Sequence, residues 1–100
     1  MDVVFAPAAD RQLSQLRVYD QRRIADGIRK HLVEADPRAE TRRKFVLQPA
    51  TEFADYELRV GEFRVFYRIA LTETGEQVLV TVIGLKGRDR LIVEGEELEI

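Results

Sequence analysis

The sequence contains no cysteine and no tryptophan, and only one methionine and one histidine in 100 residues. Without cysteine the chain can form no disulfide, no thiolate metal site and no cysteine nucleophile. A single histidine, His31, also excludes histidine-cluster metal sites and most catalytic triads. Any catalysis by this chain therefore has to rest on other residue types.

Long apolar runs are also missing. No stretch approaches the roughly 18 apolar residues that a membrane-spanning helix needs. The start, MDVVFAPAAD, lacks the basic segment and apolar run of a secretory signal. Hydrophobic residues make up 45% of the chain and charged residues 34%, which is enough to fill one core and argues against disorder. We therefore expect one soluble domain over residues 1–100, located in the cytoplasm and with no membrane partner.

Charge is nearly balanced, but it is distributed unevenly. Lysine and arginine number 16, aspartate and glutamate number 18, and the formal net charge is −2. The last seven residues hold four glutamates and no base, which leaves 14 acidic against 16 basic groups in the first 93 residues. Thirteen of the bases are arginine, whose planar guanidinium suits paired hydrogen bonds to carboxylate or phosphate. This balance permits a nucleic-acid site but does not require one.

The first third of the sequence predicts a short strand followed by two helices. Residues 2–6 are rich in β-forming side chains, and residues 7–17 begin with a proline that suits the first turn of a helix. A second helix is predicted over residues 20–36, with Asp20 as its N-cap. Gly27 interrupts the helical pattern, which indicates a close approach to a neighbouring element. The second helix has an apolar stripe that consists of Ile24, Ile28, Leu32 and Ala35.

The remainder of the sequence predicts a mainly antiparallel sheet. Residues 56–60 and 63–69 alternate apolar and polar side chains, as strands with one buried face do. Gly61-Glu62 between them fits a two-residue type II′ turn. Further predicted elements are an extended segment at 45–47, a turn at 72–76, a central strand at 78–84, a basic loop at 86–90 and a last hairpin of 91–93 and 98–100. The order predicts an α+β fold, in which an N-terminal strand and a helical hairpin pack on a mainly antiparallel sheet.

The predicted turn sets which residues of the two strands face each other. On the face away from the helices, Arg59 stands opposite Arg64. Glu57 stands opposite Phe66 on the same face, with Arg68 one diagonal further. Two opposed like charges are unfavourable, so Glu57, the acidic tail or an anionic ligand must offset them. The face is then either a phosphate and base-stacking site or a solvated ladder in which Glu57 bridges Arg64 and Arg68.

Other features of the sequence indicate no chemistry. His31 has no partner in the sequence pattern, which favours a surface histidine. The acidic residues lack the spacing of an EF-hand, and the glycines match neither a Rossmann fingerprint nor a phosphate-binding loop. The C-terminal segment LIVEGEELEI favours an edge strand protected by its charges. Alternatively, this acidic segment covers the arginines of the same chain and shields them from other ligands.

The segment YELRVGEFRVFYRI (residues 56–69) resembles the hairpin of the RelE/ParE superfamily of type II toxin–antitoxin toxins. That family carries the pattern LR-x-G-x-[YF]R-x-[IVF]-Y, and VLVTVIGLKGRDR (residues 78–90) follows here as its next long strand. FAPAADRQLSQL resembles the start of the family's first helix, and KFVLQP resembles the segment before the hairpin. The resemblance covers nearly the whole chain and implies a strand, a helical hairpin and then an antiparallel sheet. The motif indicates the superfamily better than the biochemical branch within it.

Within the superfamily, the RelE branch cleaves mRNA in the ribosomal A site with basic residues of the exposed sheet face and without a metal or other cofactor. Arg64 matches the hairpin arginine that stabilises the phosphate, and a glutamate at the position of Glu57 would act as general base. The resemblance implies catalytic roles for Arg64 and Arg88 and contacts to RNA phosphates for Arg59 and Lys86. Glu57 is the third predicted catalytic residue, by analogy with a glutamate base in some ribosome-dependent relatives, and Arg68 is predicted to contact RNA phosphate from its place on the same strand face. Its implied partners are a cognate antitoxin protein and ribosome-bound mRNA.

Two features depart from the RelE pattern. Asp55 and Glu57 stand where that pattern has lysines, which reverses the charge where the scissile phosphate would lie. The C-terminal Tyr or His that some family nucleases use is missing from residues 91–100. Two alternatives therefore stay open: a ParE-like, non-enzymatic poison of DNA gyrase, and a catalytically silent member that acts by protein–protein binding. A homo-oligomer is compatible with each.

Overall fold

The computed structural model describes residues 1–87 and 90–99. The chain has the predicted α+β fold, with an N-terminal strand and two helices packed on a mixed, mostly antiparallel sheet. The helices are α1 (Pro7–Ser14) and α2 (Val18–Ile28), and a π-helical turn (Arg29–Val33) continues α2. The strands are β1 (Asp2–Phe5), β2 (Lys44–Val46), β3 (Tyr56–Val60), β4 (Phe63–Thr72), β5 (Gly75–Lys86), β6 (Arg90–Val93) and β7 (Glu96–Glu99).

The seven strands form one sheet in the order β2-β3-β4-β5-β6-β7, with β1 paired to β5 beside this path. β4 lies along one edge of β5. The other edge is shared, because β1 runs parallel to Gln77–Val80 while β6 runs antiparallel to Leu85–Lys86. The β-branched segment at 78–84 therefore lies in a central strand, as predicted, and that strand is longer than expected.

Both helices cover one face of the sheet, where the main hydrophobic core lies. α1 packs against β5 and α2 packs against β3. A β-carbon at Gly27 would lie only 2.8 Å from Cγ2 of Val60, so the glycine allows the close approach that was predicted for α2. The buried core residues are Ala9, Ile24, Ile28, Leu32, Leu58, Phe63, Val65, Tyr67, Val78, Val80 and Ile83.

The second helix differs from the prediction at both ends. It begins at Val18, so Asp20 lies in its first turn and does not cap it. The buried Asp20 carboxylate accepts hydrogen bonds from Nε of Arg17 (2.9 Å) and Nη1 of Arg23 (3.4 Å). These partners, with the favourable helix dipole, satisfy a carboxylate inside the first turn. The helical segment ends with the π-helical turn, before the predicted end near residue 36.

A buried lysine closes the C-terminal end of this helical segment. Nζ of Lys44, on β2, donates hydrogen bonds to the carbonyl oxygens of His31 (2.9 Å) and Asp36 (2.6 Å). Burial lowers the pKa of Lys44, while the charge of Asp36 raises it. Carbonyl groups at helix C-termini lack partners within the helix, so this ammonium group joins the helix to the edge of the sheet.

The hairpin of β3 and β4 has the predicted turn and register. Gly61 has φ +58°, as the first position of a type II′ turn requires. Leu58 pairs with Val65 and Tyr56 pairs with Tyr67, all on the helix side. The orientation of the hairpin was therefore predicted correctly.

The long strand β5 contains a bulge that the sequence analysis did not predict. Phe66 pairs with Val82 but the next residue, Tyr67, pairs with Val80, which leaves Thr81 as the extra residue. Because of this extra residue, Val80 and Ile83 both lie in the core although they are three positions apart. The same bulge keeps Val82 on the opposite face with Phe66.

The two later turns are tighter than predicted. The predicted turn at 72–76 reduces to Glu73-Thr74, because β4 and β5 pair as far as Thr72 and Gly75. The last hairpin turns at Glu94-Gly95, which have φ values of +52° and +81°. Glu96 therefore begins β7 and does not belong to a four-residue loop.

In residues 1–87 and 90–99, no helix is long and apolar enough to cross a membrane.

Candidate functional site

The face of the sheet opposite the helices carries Arg59, Arg64 and Arg68, and we call it the arginine face. Arg59 pairs directly with Arg64 across β3 and β4, as predicted. Arg43 precedes β2, and its carbonyl oxygen accepts a hydrogen bond from the Arg59 amide (2.7 Å). Because neighbouring strands lie about 4.8 Å apart, three arginines occupy adjacent positions across three chain segments.

Glu57 lies between two arginines of this row. Its Oε2 is 3.2 Å from Nε of Arg59, and its Oε1 is 3.9 Å from Nε of Arg64. Only 14% of the Glu57 side chain is exposed. The unfavourable pairing of two arginines is therefore offset by Glu57, one of the three possibilities that the sequence left open.

Arg64 is held in place from within its own hairpin. Its Nη1 donates hydrogen bonds to the carbonyl oxygens of Gly61 (2.8 Å) and Phe63 (3.0 Å). Only 12% of its side chain is exposed, and its Nε is buried with no hydrogen-bond partner in the structure. Burial lowers the pKa of Arg64, Glu57 raises it and Arg59 lowers it. An anion at this position would stabilise a cation that is only partly compensated.

Arg59 is the more accessible member of the pair, with 46% of its side chain exposed. Its guanidinium lies over the ring of Phe45 on β2, 4.2 Å from the ring centroid. A guanidinium stacked on an aromatic ring keeps its edge free for hydrogen bonds. Arg59 can therefore bind an incoming anion without leaving its present position.

Phe66 does not serve as the stacking surface that was considered from the sequence. It is only 5% exposed and packs edge to face against Phe53, with ring centroids 5.5 Å apart. A second apolar cluster surrounds it on this face, so a nucleic-acid base has no access to its ring. The residues of this second cluster are Leu47, Phe53, Ala54, Phe66, Val82, Leu91 and Val93.

Arg68 lies apart from the Glu57 pair. Its Nη2 donates a hydrogen bond to the carbonyl oxygen of Glu52 (2.6 Å), in the segment between β2 and β3. The predicted ladder, in which Glu57 bridges Arg64 and Arg68, is therefore wrong: Glu57 bridges Arg59 and Arg64. The cause is geometric, because Arg68 turns towards the segment that covers Phe66. The Nε of Arg68 is also buried without a partner.

The remaining predicted site residues lie at the end of β5 and beyond. Arg64 pairs with Gly84, and alternation along β5 puts Lys86 on the same face. The Lys86 amide donates to the carbonyl oxygen of Glu62 (2.7 Å), which ties this end of β5 to the hairpin turn. Arg88, predicted as catalytic, lies outside the described residues. Asp55 is exposed at the start of the hairpin.

The turn of the C-terminal hairpin contacts α1. Glu94 accepts hydrogen bonds from Nε and Nη2 of Arg11 (2.6 and 3.0 Å) and from Nε2 of Gln12 (3.4 Å). The hydrogen bond from Arg11 lowers the pKa of Glu94. This glutamate therefore does not mask the arginine face. The side chains at 97–100, which complete the predicted acidic mask, lie outside the described set.

Sequence reasoning missed several polar residues that the fold brings together. His31, Thr41, Arg42 and Arg43 line a cleft beside β2. Tyr67 donates a buried hydrogen bond to the carbonyl oxygen of Pro37 (2.7 Å), and burial raises the pKa of its hydroxyl group. The only available signal was the run of bases before β2, which has no periodicity that would connect it to His31.

Comparisons of the chain with protein-family models, with curated proteins and with solved structures gave no match. Among the described side chains, those of residues 1–87 and 91–96, there is also no group of three His, Cys, Asp or Glu residues that could hold a metal ion. The chemistry available on the arginine face is thus charge stabilisation by fixed guanidiniums beside one carboxylate. Such a set can bind a phosphodiester and stabilise the charge that develops on it.

Proposed function

We propose that the protein is a RelE-like toxin of a type II toxin–antitoxin pair, which inhibits translation by cleaving ribosome-bound mRNA. One observation supports this most: Arg59 and Arg64 stand side by side with Glu57 between their Nε atoms. The hairpin that positions them is the segment that resembles the RelE/ParE motif. This activity would place the protein in the cytoplasm, where ribosomes translate.

In the proposed reaction, the 2′-oxygen of a nucleotide attacks the adjacent phosphorus. The 2′-proton passes to Glu57, the bond from phosphorus to the 5′-oxygen breaks to leave a 2′,3′-cyclic phosphate, and the departing 5′-oxygen takes up a proton from water. Negative charge develops on the phosphorane oxygens, where Arg64 is suited to stabilise it because two carbonyl groups already hold its guanidinium. Arg59, Lys86 and Arg68 would contact flanking phosphates, and Arg88 is the third catalytic group by resemblance.

The pairing of Glu57 with both arginines has a consequence for this mechanism. A phosphate that binds the Nε groups of both Arg59 and Arg64 has to take the place that the Glu57 carboxylate now occupies. Glu57 can then accept a proton only after it has turned away from Arg59. The ribosome, by presenting the phosphate, would supply the interaction energy for this exchange.

A cognate antitoxin is the proposed protein partner. It would cover the arginine face with acidic side chains and pack apolar side chains beside them. Desolvated ion pairs of this kind give specificity as well as affinity. A complex with the antitoxin should therefore dissociate faster when Arg59 is replaced by alanine.

The proposal is tested in a cell-free translation reaction with mRNA 5′ ends mapped by primer extension. Wild-type protein should produce cuts that depend on ribosomes, and Arg64→Ala should abolish them while the fold is retained by circular dichroism. Arg22→Ala is the matched control, because Arg22 is an exposed arginine of α2 on the other side of the molecule. Intact mRNA at high concentrations of wild-type protein would contradict the proposal.

A catalytically silent member that acts by protein–protein binding is the second candidate. It is favoured by the same Glu57, which neutralises the arginines, and by the low exposure of Arg64. This candidate predicts that expression is not toxic and that translation proceeds normally. A ParE-like gyrase poison would instead inhibit supercoiling by purified DNA gyrase and induce DNA damage, with no effect of Arg64→Ala.

A further inference from the structure

A cleft with a volume of about 450 Å³ lies beside the edge strand β2, outside the proposed catalytic group. His31 of the π-helical turn forms one side of it. Thr41, Arg42 and Arg43 form the other side. The cleft therefore lies between the helical layer and the edge of the sheet.

The charge of this cleft is positive and uncompensated in the part of the chain that is described. Arg42 and Arg43 have no carboxylate within 4.0 Å among the described side chains, those of residues 1–87 and 91–96. Glu40, which is close in sequence, accepts a hydrogen bond from the Val46 amide (3.1 Å). Burial lowers the pKa of His31, and the charges of Lys30, Lys44 and Arg43 lower it further.

The segment that carries the two arginines is ordered by its own hydrogen bonds. Oγ1 of Thr41 accepts from the amides of Arg43 (3.1 Å) and Lys44 (3.2 Å). The Thr41 amide donates to the carbonyl oxygen of Lys44 (3.0 Å), and the Lys44 side chain is buried. The turn therefore fixes the backbone of Arg42 and Arg43 beside the cleft before any ligand arrives, so that only their exposed side chains have to be ordered on binding.

We propose that this cleft is a second phosphate-binding site, which holds a backbone phosphate of the RNA outside the catalytic position. Arg43 connects the two sites, because its carbonyl oxygen accepts a hydrogen bond from the Arg59 amide. The path from Arg64 through Arg59 to Arg43 spans two strand spacings, about 10 Å. A single strand would follow this path and enter the cleft between His31 and Arg42. The RNA ligand rests on the proposed function, whereas the phosphate chemistry rests on the cleft.

Binding is measured with purified protein and a labelled single-stranded RNA of about 10 nucleotides, without ribosomes. Arg42→Ala, Arg43→Ala and the control Arg22→Ala each remove one positive charge. Replacing both Arg42 and Arg43 should weaken binding about tenfold, as loss of charge-assisted hydrogen bonds does. Each cleft variant should reduce the slope of log affinity against log salt by about 0.7. Equal losses for the cleft variants and the control would overturn the proposal.

His31 supplies a second readout because it is the only histidine. Its imidazole NMR signals should shift when the RNA is added, and they should shift weakly with inorganic phosphate alone. Signals that stay unchanged in saturating RNA would overturn the proposal, and a response to free phosphate only would overturn RNA as the ligand.

The two proposals fail in different ways. If RNA binds at the cleft but mRNA stays intact in the translation assay, the proposed nuclease activity is contradicted and the proposed phosphate site is retained. If mRNA is cut in a ribosome-dependent way, and neither cutting nor RNA binding changes in Arg42→Ala and Arg43→Ala, the cleft proposal is contradicted and the nuclease proposal is retained.

Discussion

The two faces of the sheet differ in how their buried polar groups are hydrogen-bonded. On the helix face, the buried polar groups Lys44 and Tyr67 donate hydrogen bonds to backbone carbonyl groups. On the arginine face, Arg64 and Arg68 are each bound through one end of the guanidinium, and their Nε atoms are buried with no hydrogen-bond partner among the described side chains. Unpaired buried donors cost stability, so evolution usually removes them unless they have a use.

The comparison separates a face that is packed for folding from a face whose cations are only partly compensated by the described residues. The helix face is close-packed and apolar, with its few polar groups satisfied internally. The arginine face keeps a smaller apolar cluster around Phe66 and places its cations around that cluster. A ligand or partner that supplies acceptors to Arg64 and Arg68 would satisfy the donors that the described residues leave unpaired.

The largest expected effect is on the helix face. Leu58→Ala should lower the free energy of unfolding by about 2–5 kcal/mol, because Leu58 is fully buried and its removal leaves a cavity. Urea denaturation measures this change. The control Leu71→Ala should change it by less than about 0.5 kcal/mol, since Leu71 is 84% exposed. Equal effects at the two leucines would mean that the helix face is not the main core.

The next effect concerns the lysine that joins the two layers. Lys44→Met keeps most of the side-chain volume but removes the ammonium group. The carbonyl of His31 then loses this hydrogen bond, and that of Asp36 keeps the Ala39 amide as a donor. We expect a loss of about 2 kcal/mol, measured by the same denaturation. Lys30→Met is the control, because Lys30 is exposed on the π-helical turn. A stability gain for Lys44→Met would show that burying the ammonium group costs more than its hydrogen bonds return.

Glu57 precedes Leu58 in the chain and lies on the opposite face of the sheet. Replacing it should change stability less than the two core substitutions do, but it should change the affinity for RNA. Glu57→Gln should cost about 1 kcal/mol or less, since it removes the charge between Arg59 and Arg64. The affinity for single-stranded RNA should rise because those arginines become available. If Glu57 is also the general base, ribosome-dependent cleavage should fall in the same variant. Unchanged RNA affinity would contradict the inference that Glu57 competes with phosphate.

The smallest effect is a pH dependence from His31. Its pKa is below the usual 6.5, because burial and nearby cations disfavour the charged form. The unfolded chain therefore binds more protons in the window just below pH 6.5, so stability rises with pH through that window and falls on acidification. His31→Gln should remove this part of the pH dependence, measured by thermal denaturation across pH 5–7.5. A protein that becomes more stable as this window is acidified, or the same slope in the variant, would contradict the assignment.

Much of the fold could be predicted because its elements depend on local patterns. The alternation in β3 and β4, with a Gly at the first turn position, determined which side chains face the helices. The bulge at Thr81 and the start of α2 could not be predicted, because each depends on contacts with elements distant in sequence or on the competition between capping and side-chain pairing.

The candidate site was predicted only in part. The pairing of Arg59 with Arg64 follows from the register of one hairpin, which is a local property. The burial of Phe66 was not predictable, because it depends on how the segment between β2 and β3 folds over the sheet. For the same reason, Arg68 donates a hydrogen bond to a carbonyl group of that segment, and Glu57 contacts Arg59 and Arg64 instead.

The sequence alone determined the order of elements, the hairpin register and the pairing of Arg59 with Arg64 on one face, since periodicity and turn chemistry act over a few residues. Only the tertiary structure decided what surrounds those arginines. It buried Lys44 under the helices, covered Phe66 and brought His31 to Arg42 across the edge of the sheet. These outcomes depend on long-range packing, in which many weak contacts compete, and no short pattern in the sequence records which contacts prevail.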